Sequence, residues 1–135
     1  MDTHNTEQAA RGYLMYALAM RGYRSLMADS RFPSEDMLVV SPSGKHFGIE
    51  IKGQSTKNFW RFTYHEPNPD IFWIFIYVTQ SDIPKICIMT SLETMALWKE
   101  YKNEKIAKGI KENSPWGLSW KTPLEFENRW DLLPK

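Results

Sequence analysis

The sequence is poor in the residues that build cross-links and membrane spans. Cys87 is the only cysteine, so an intramolecular disulfide and a cysteine-based zinc site are both excluded. The three histidines, His4, His46 and His65, are too scattered for a zinc motif. The longest apolar run, residues 71–78, is too short to span a bilayer. Because the first residues are polar and do not resemble a signal peptide, we expect a cytoplasmic protein without a membrane partner.

The chain also lacks an excess of charge of either sign, with 17 basic and 16 acidic residues. Net charge therefore gives no argument for nucleic acid binding, although a local basic surface is compatible with it. No segment has the composition of a disordered linker, and no internal repeat divides the chain. With 135 residues, 42% of them hydrophobic, the composition predicts a single domain over residues 1–135 with a substantial core.

Helix and strand signals alternate along the chain. Capping-box spacing marks two helix starts, at Asn5 with Gln8 and at Thr90 with Glu93. The predicted elements are a helix from Asn5 or Thr6 to about Met20, strands at 23–29, 59–66, 71–78 and 85–90, a hairpin at 36–52, a helix at about 91–112, and a short helix opening at Thr122. This order predicts an α/β sandwich, a mixed β-sheet flanked by helices.

The turn sequence SPSGK at 41–45 sets the register of the hairpin. Ser41 and Pro42 suit the first two positions of a type I turn, and Gly44 suits the left-handed fourth position. Ser41 then pairs with Lys45, so that paired residue numbers sum to 86. This register places five apolar side chains on one face, where they would pack on a core: Met37, Val39, Phe47, Ile49 and Ile51.

On its other face the hairpin is predicted to carry opposed acidic residues. Asp36 lies directly opposite Glu50, and Lys52 follows two residues later. Like charges with Cβ atoms about 5 Å apart destabilise a sheet. A divalent cation would offset the repulsion, and hard oxygen ligands suit Mg²⁺ or Mn²⁺. Gly48 predicts an uncrowded approach on this face. The alternative interpretation is an exposed polar face with one surface ion pair.

An aspartate, a hairpin and then Glu-x-Lys on the next strand resemble the PD-(D/E)xK nuclease superfamily, which has the restriction-endonuclease-like fold. The preceding segment, TEQAARGYLMYALAMRGYRSL, is similar to the opening of the Holliday-junction-resolvase-like branch. There a helix carries an early acidic residue and ends in Gly-Tyr, which correspond here to Glu7, Gly22 and Tyr23. The resemblance covers about residues 5–54 and implies a restriction-endonuclease-like α/β sandwich.

The resemblance implies a metal-dependent nuclease that hydrolyses phosphodiester bonds of duplex or branched DNA. Asp36 and Glu50 would hold Mg²⁺ or Mn²⁺ together with the carbonyl of Ile51. Lys52 would assist the attacking water or stabilise the transition state. Two further positions match less closely: Glu7 as an auxiliary helix carboxylate and Gln54 as a polar residue used by some members. So small a domain is expected to act as a homodimer, with one site for each strand.

The chain departs from the family pattern around the motif. Glu35 stands where the family name has proline, and residues 53–70 predict a loop, a strand and a turn where the family has a helix. The superfamily also includes inactive members. The alternative function is therefore a non-catalytic restriction-endonuclease-like domain that binds nucleic acid or a protein partner. A third hypothesis is an unrelated α/β interaction module with exposed Asp, Glu and Lys side chains.

Basic residues near the motif are candidates for contact with DNA. The segment STKNFWRF, residues 55–62, mixes Lys57 and Arg61 with Phe59 and Trp60. Such a mixture could grip phosphates and stack on bases. The same pattern also fits a strand whose aromatic side chains face the core. Lys45, in the hairpin turn, is a further candidate for a phosphate contact.

Overall fold

The computed structural model, which describes residues 1–29 and 35–135, contains a mixed five-stranded β-sheet with helices on both faces. The helices are α1 (Thr3–Ala19) and α2 (Ser91–Ala107), with short 3₁₀ helices at Thr122–Phe126 and Trp130–Leu132. The strands are β1 (Arg24–Met27), β2 (Met37–Val40), β3 (His46–Gln54), β4 (Trp60–Arg61), β5 (Ile71–Tyr77), β6 (Lys85–Thr90) and β7 (Gly117–Leu118). The predicted α/β fold with a mixed sheet is confirmed.

The strands of the main sheet lie in the order β1-β2-β3-β5-β6. Only β3 and β5 are parallel, and the other neighbours are antiparallel. The short strands β4 and β7 form a separate two-stranded sheet. No helix within residues 1–29 and 35–135 is long and apolar enough to cross a membrane.

Helix α1 covers one face of the sheet because its apolar residues form a single stripe. Ala10, Leu14, Ala17 and Leu18 recur at helical spacing and are buried. They pack in one cluster with alternate residues of the strands, including Ile49. Burial of a leucine side chain such as Leu14 or Leu18 stabilises the fold by about 1.5–3 kcal/mol. This stripe therefore fixes how α1 lies on the sheet.

The opposite face of β3, β5 and β6 is covered by an aromatic cluster and α2. Trp60, Phe62, Trp73 and Phe75 are buried together in it, and Met95 of α2 packs against them. Burial on both faces explains why β5 is an unbroken apolar run.

Phe59 and Trp60 were predicted to face either DNA or the core, and Trp60 faces the core. The Phe59 ring packs on the Tyr101 ring of α2, with 5.4 Å between the centroids.

The hairpin forms in the predicted register. Its pairs include Val40 with His46 and Met37 with Ile49, and these numbers sum to 86. Gly44 has a φ of 95°, the left-handed conformation that the turn requires. Its N–H donates to the Ser41 carbonyl at 2.9 Å, which closes the type I turn. The predicted apolar face packs in the same core cluster as α1.

The helix boundaries differ in part from the prediction. Helix α1 begins at Thr3, since Asp2 and not Asn5 or Thr6 is its cap and accepts the Asn5 N–H at 2.8 Å. Thr90 and Glu93 form the predicted capping box of α2. This helix ends at Ala107 and not near residue 112, because the chain turns at Gly109, whose φ is 91°.

The predicted strand over residues 59–66 is wrong for most of its length. Only Trp60 and Arg61 are in a strand, and they pair with β7. The physical reason is that β5 pairs directly with β3, which leaves residues 59–66 outside the main sheet. The last predicted helix is a 3₁₀ turn over Thr122–Phe126.

Helix α1 approaches β3 most closely at Gly53. A Cβ atom added there would lie 2.8 Å from the Cβ of Ala10 and 3.9 Å from the carbonyl oxygen of Thr6. Real Cβ atoms are not found that close, so the helix can lie at this height only above a glycine. The contact places the first turns of α1 beside the last residues of β3.

We predict that Gly53→Ala destabilises the protein by about 1–3 kcal/mol, because the new methyl group overpacks the contact with α1. The free energy of unfolding in urea measures this. Gly12→Ala is a matched control, since nothing lies within 4 Å of a Cβ at this helical glycine. It should stabilise the protein by up to about 1 kcal/mol through helix propensity. Equal effects of the two substitutions would contradict the packing argument.

Candidate functional site

A cavity lies where β3 extends beyond its hairpin partner. The paired residues of β2 and β3 end at Met37 with Ile49, whereas β3 continues to Gln54. The edge of β3 is therefore free of β2 from residue 50 onward. A cavity of about 250 Å³ lies at this edge and is lined by Glu7, Ala10, Arg11, Asp36, Glu50, Ile51, Lys52 and Gly53. We call it the carboxylate cavity, and it brings together Glu7, Asp36, Glu50 and Lys52 of the predicted set.

Asp36 ends the hairpin ladder. Its N–H donates to the Ile49 carbonyl at 2.9 Å, one residue out of the register that pairs Met37 with Ile49. Its side-chain Oδ2 accepts the N–H of Ile51 at 2.8 Å. Asp36 is therefore not paired directly with Glu50 as predicted. Its carboxylate instead bonds to the backbone N–H of Ile51. This bond satisfies a donor that β2 no longer reaches.

Ile51 also presents its carbonyl group at this edge. In an extended strand the N–H and C=O of one residue point toward the same neighbouring strand. Since the Ile51 N–H is bonded to Asp36, its carbonyl faces the gap that β2 leaves. Ile51 lines the carboxylate cavity, so a backbone oxygen joins the two acidic side chains there.

Glu50 is the most perturbed acid of the cavity. Burial, and next the negative charge of Asp36, raise its pKa to about 7, although Lys52 lowers it in part. Glu35 adds a smaller repulsive contribution. Half of the molecules would thus carry a proton on Glu50 near pH 7. A half-buried acid perturbed by specific neighbours is typical of functional sites.

Lys52 lies on the same face of β3 as Glu50. Its Nζ is 5.8 Å from the centre of the Trp73 ring, and its charge lowers the pKa of Glu50. Within residues 1–29 and 35–135, no carboxylate oxygen lies within 4.0 Å of this ammonium group. The charge is therefore available to an anion that enters the cavity.

Helix α1 contributes two charged residues to the cavity, Glu7 and Arg11. They are four residues apart and so share one face of the helix. Glu7 was expected from the resemblance, whereas sequence reasoning missed Arg11. The spacing from Glu7 was the available signal for it. The close approach at Gly53 brings this part of α1 near enough to line the cavity.

Several predicted residues lie elsewhere. Gln54 does not line the carboxylate cavity, because its amide donates to the Phe59 carbonyl at 3.0 Å and accepts the Asn58 N–H at 3.1 Å. It fixes the loop after β3. Lys45 is in the hairpin turn, five residues before Glu50. At a rise of about 3.3 Å for each residue of an extended strand, the two residues lie about 17 Å apart.

The two other basic candidates, Lys57 and Arg61, also lie outside the carboxylate cavity. Lys57 is exposed in the loop after β3. Arg61 is exposed on β4 and lines a different cavity, which Lys52 also lines. The expectation that Gly48 leaves its face uncrowded is wrong, since a Cβ there would lie 3.1 Å from the Cβ of Glu35. The glycine instead makes room for Glu35.

The donor set of the cavity can be compared with what metal ions require. In the described residues, no group of three or more His, Cys, Asp and Glu side chains is arranged to hold a metal ion. Mg²⁺ does not need such a cage, because it binds one or two protein carboxylates and completes its shell with water and substrate phosphates. Asp36, Glu50 and the Ile51 carbonyl are hard oxygen donors of this kind.

In the comparisons with known proteins, no family model, curated protein or solved structure matches this chain.

We predict that Glu50→Gln stabilises the protein at pH 8 but not at pH 4. The pKa of Glu50 is raised, so the folded state binds this proton more tightly than the unfolded state. The stability of the native protein should accordingly fall as the pH rises from about 4.5 to 7. After allowance for partial exposure, the glutamine should recover about 1–2 kcal/mol at pH 8.

Urea unfolding at the two pH values measures this difference. The matched control is Glu100→Gln, which removes an exposed carboxylate from α2. The control should show no such gain at pH 8. A gain for Glu50→Gln of equal size at both pH values would contradict an electrostatic origin.

Proposed function

We propose that this protein is a Mg²⁺- or Mn²⁺-dependent nuclease of restriction-endonuclease-like fold that hydrolyses phosphodiester bonds of DNA. The observation that carries the proposal is the meeting of Asp36, Glu50 and Lys52 in one cavity at the open edge of β3. Two carboxylates and a lysine are the groups that this chemistry needs. The resemblance to the PD-(D/E)xK superfamily assigns the same residues.

Five groups of the cavity have a role in this proposal. Asp36, Glu50 and the Ile51 carbonyl would hold the metal ion. A bound divalent ion supplies Lewis-acid polarisation of the phosphate and a more acidic water. Lys52 would donate to the phosphate oxygens as negative charge builds up on them in the transition state. Arg11, on the opposite wall, would bind a neighbouring phosphate oxygen.

The electrostatics of the cavity support a cation requirement. The carboxylates of Glu7, Asp36 and Glu50 outnumber the two cationic side chains that line the cavity. Burial and, next, the negative charge of Asp36 raise the pKa of Glu50 to about 7. A divalent cation would relieve this repulsion and displace the proton of Glu50. The entry of phosphate would otherwise be opposed by the same negative charge.

A non-catalytic domain that binds nucleic acid is the second candidate. The observation in its favour is that Glu7, Asp36 and Glu50 line one cavity, yet no three acidic, histidine or cysteine side chains of the described residues are arranged to hold a metal ion. In that case, Lys52 and Arg11 would bind phosphate without cleaving it.

In the nuclease proposal, a homodimer would supply one site for each strand of duplex or branched DNA.

We predict that the protein binds Mg²⁺ or Mn²⁺ by calorimetry and that Asp36→Asn and Glu50→Gln each weaken this binding at least tenfold. Affinity should fall as the pH is lowered through 7, approaching tenfold for each pH unit, because the metal competes with one proton on Glu50. Titrations at pH 6, 7 and 8 would measure this dependence.

Glu100→Gln is again the control, since it removes a carboxylate from an exposed position on α2. The titration is repeated with a short DNA duplex, because substrate phosphates help to complete the shell of Mg²⁺. Binding that is absent with and without DNA, or retained in both site variants, would contradict the metal site.

We predict that Lys52→Met lowers DNA cleavage at least a hundredfold while metal binding is retained, because the lysine acts on the phosphate and not as a ligand. Cleavage of labelled single-stranded, duplex, forked and four-way-junction DNA with Mg²⁺ is the measurement. Lys108→Met, at the exposed C-terminal end of α2, is the control and should cleave normally. Wild-type protein that binds metal and DNA but cuts none of these substrates would favour the non-catalytic alternative.

A further inference from the structure

A second cavity, of about 520 Å³, adjoins the carboxylate cavity. The two share Lys52, which lines both. The other residues around it come from the segment after β3, from β5, from α2 and from the segment before β7, and they include Arg61, Trp73, Trp98 and Trp116. We call it the aromatic cavity.

The charges around the aromatic cavity all have one sign. Lys52 and Arg61 line it, and none of its described lining residues is acidic. In the described part of the chain, neither Lys52 nor Arg61 lies within 4.0 Å of a carboxylate oxygen. Unpaired cationic side chains around a cavity attract an anion. The carboxylate cavity next to it, in contrast, is rich in acids.

The walls of this cavity are aromatic and rigidly held. Trp98 is half-buried, and its Nε1–H donates to the Phe62 carbonyl at 3.0 Å. The Tyr64 ring packs against it at 5.3 Å between centroids. Trp73 and Trp116, almost completely buried, form further walls. A partly exposed indole in a fixed orientation offers a flat surface on which a nucleobase stacks.

The size of the cavity restricts what can enter it. Volumes of about 300–1,000 Å³ suit small organic ligands, and one nucleotide falls in this range. A base that is paired and stacked in a duplex cannot enter such a space without leaving its helix. A ligand that uses both the cationic and the aromatic groups is therefore an unpaired nucleotide with its phosphate.

We propose that the aromatic cavity binds the unpaired base of a nucleotide next to the phosphate at Lys52. This inference rests on the proposed function, because it places the cleaved strand at Lys52. Arg61 binds a phosphate of the same strand, and Trp98 stacks on the base. The substrate class is then DNA that is single-stranded or unpaired at the cleavage point.

The test is the binding of three fluorescent DNA probes, measured by anisotropy with EDTA and without metal. The probes are a 12-nucleotide thymidine strand, the same strand with abasic sites in place of every base, and a 12-base-pair blunt duplex. We expect the thymidine strand to bind at least fivefold more tightly than either of the others, since only an unpaired base can stack on the indole ring.

Two arginine variants assign the binding to the cavity. Arg61→Ala should weaken binding of the thymidine strand at least fivefold. Arg24→Ala removes the same charge from another exposed strand residue, on β1, and should have little effect. Trp98→Leu should lower the affinity of the thymidine strand to that of the abasic strand. If circular dichroism shows that Trp98→Leu unfolds the protein, the arginine pair and the abasic probe decide.

Each outcome either supports or overturns the inference. Equal affinity for the thymidine and abasic strands, tighter binding of the duplex, or equal effects of the two arginine variants would overturn it. Because no metal is present, the result is independent of cleavage. A base preference without metal binding would refute the nuclease proposal alone, and metal binding without a base preference would refute the aromatic cavity alone.

Discussion

The arrangement of the candidate site depends on one hydrogen bond, from the N–H of Ile51 to the carboxylate of Asp36. It lets the pairing of β2 with β3 stop at Met37 without exposing an unsatisfied donor on β3. The rest of β3 has no partner in β2, and the carboxylate cavity lies at that edge. The same bond uses one oxygen of Asp36 and so fixes where the other can point. This single contact thus determines both where the backbone pairing ends and how the Asp36 carboxylate is oriented.

The cavity concentrates charge at a cost to stability. Close packing of α1 on Gly53 brings Glu7 and Arg11 to an edge that already carries Asp36 and Glu50. The result is a glutamate whose ionised form is disfavoured by burial and by like charge. Proteins often tolerate such local destabilisation where a site must bind something of opposite charge. The aromatic cluster between the sheet and α2 supplies compensating stability.

The sequence predicts well what is decided locally. The turn around Gly44 and the alternation of the two strands specify the register of the hairpin, and this register is found. The side of α1 that faces the cavity, and with it Arg11, depends on a contact between Gly53 and a helix more than 40 residues earlier. The strand predicted at 59–66 failed for a similar reason. Its alternation is real, but the parallel pairing of β3 with β5 leaves it no place in the main sheet.

The position of Lys52 between the two cavities has a thermodynamic consequence. One ammonium group contributes to the potential in both, and it adjoins the carboxylates on one side and the Trp73 ring on the other. A cation among the carboxylates would free this charge from its attraction to Glu50 and leave it for a phosphate. Occupation of the two cavities is then coupled, and each ligand raises the affinity for the other by the same factor. Lys52 would make metal ion and nucleic acid positively cooperative ligands.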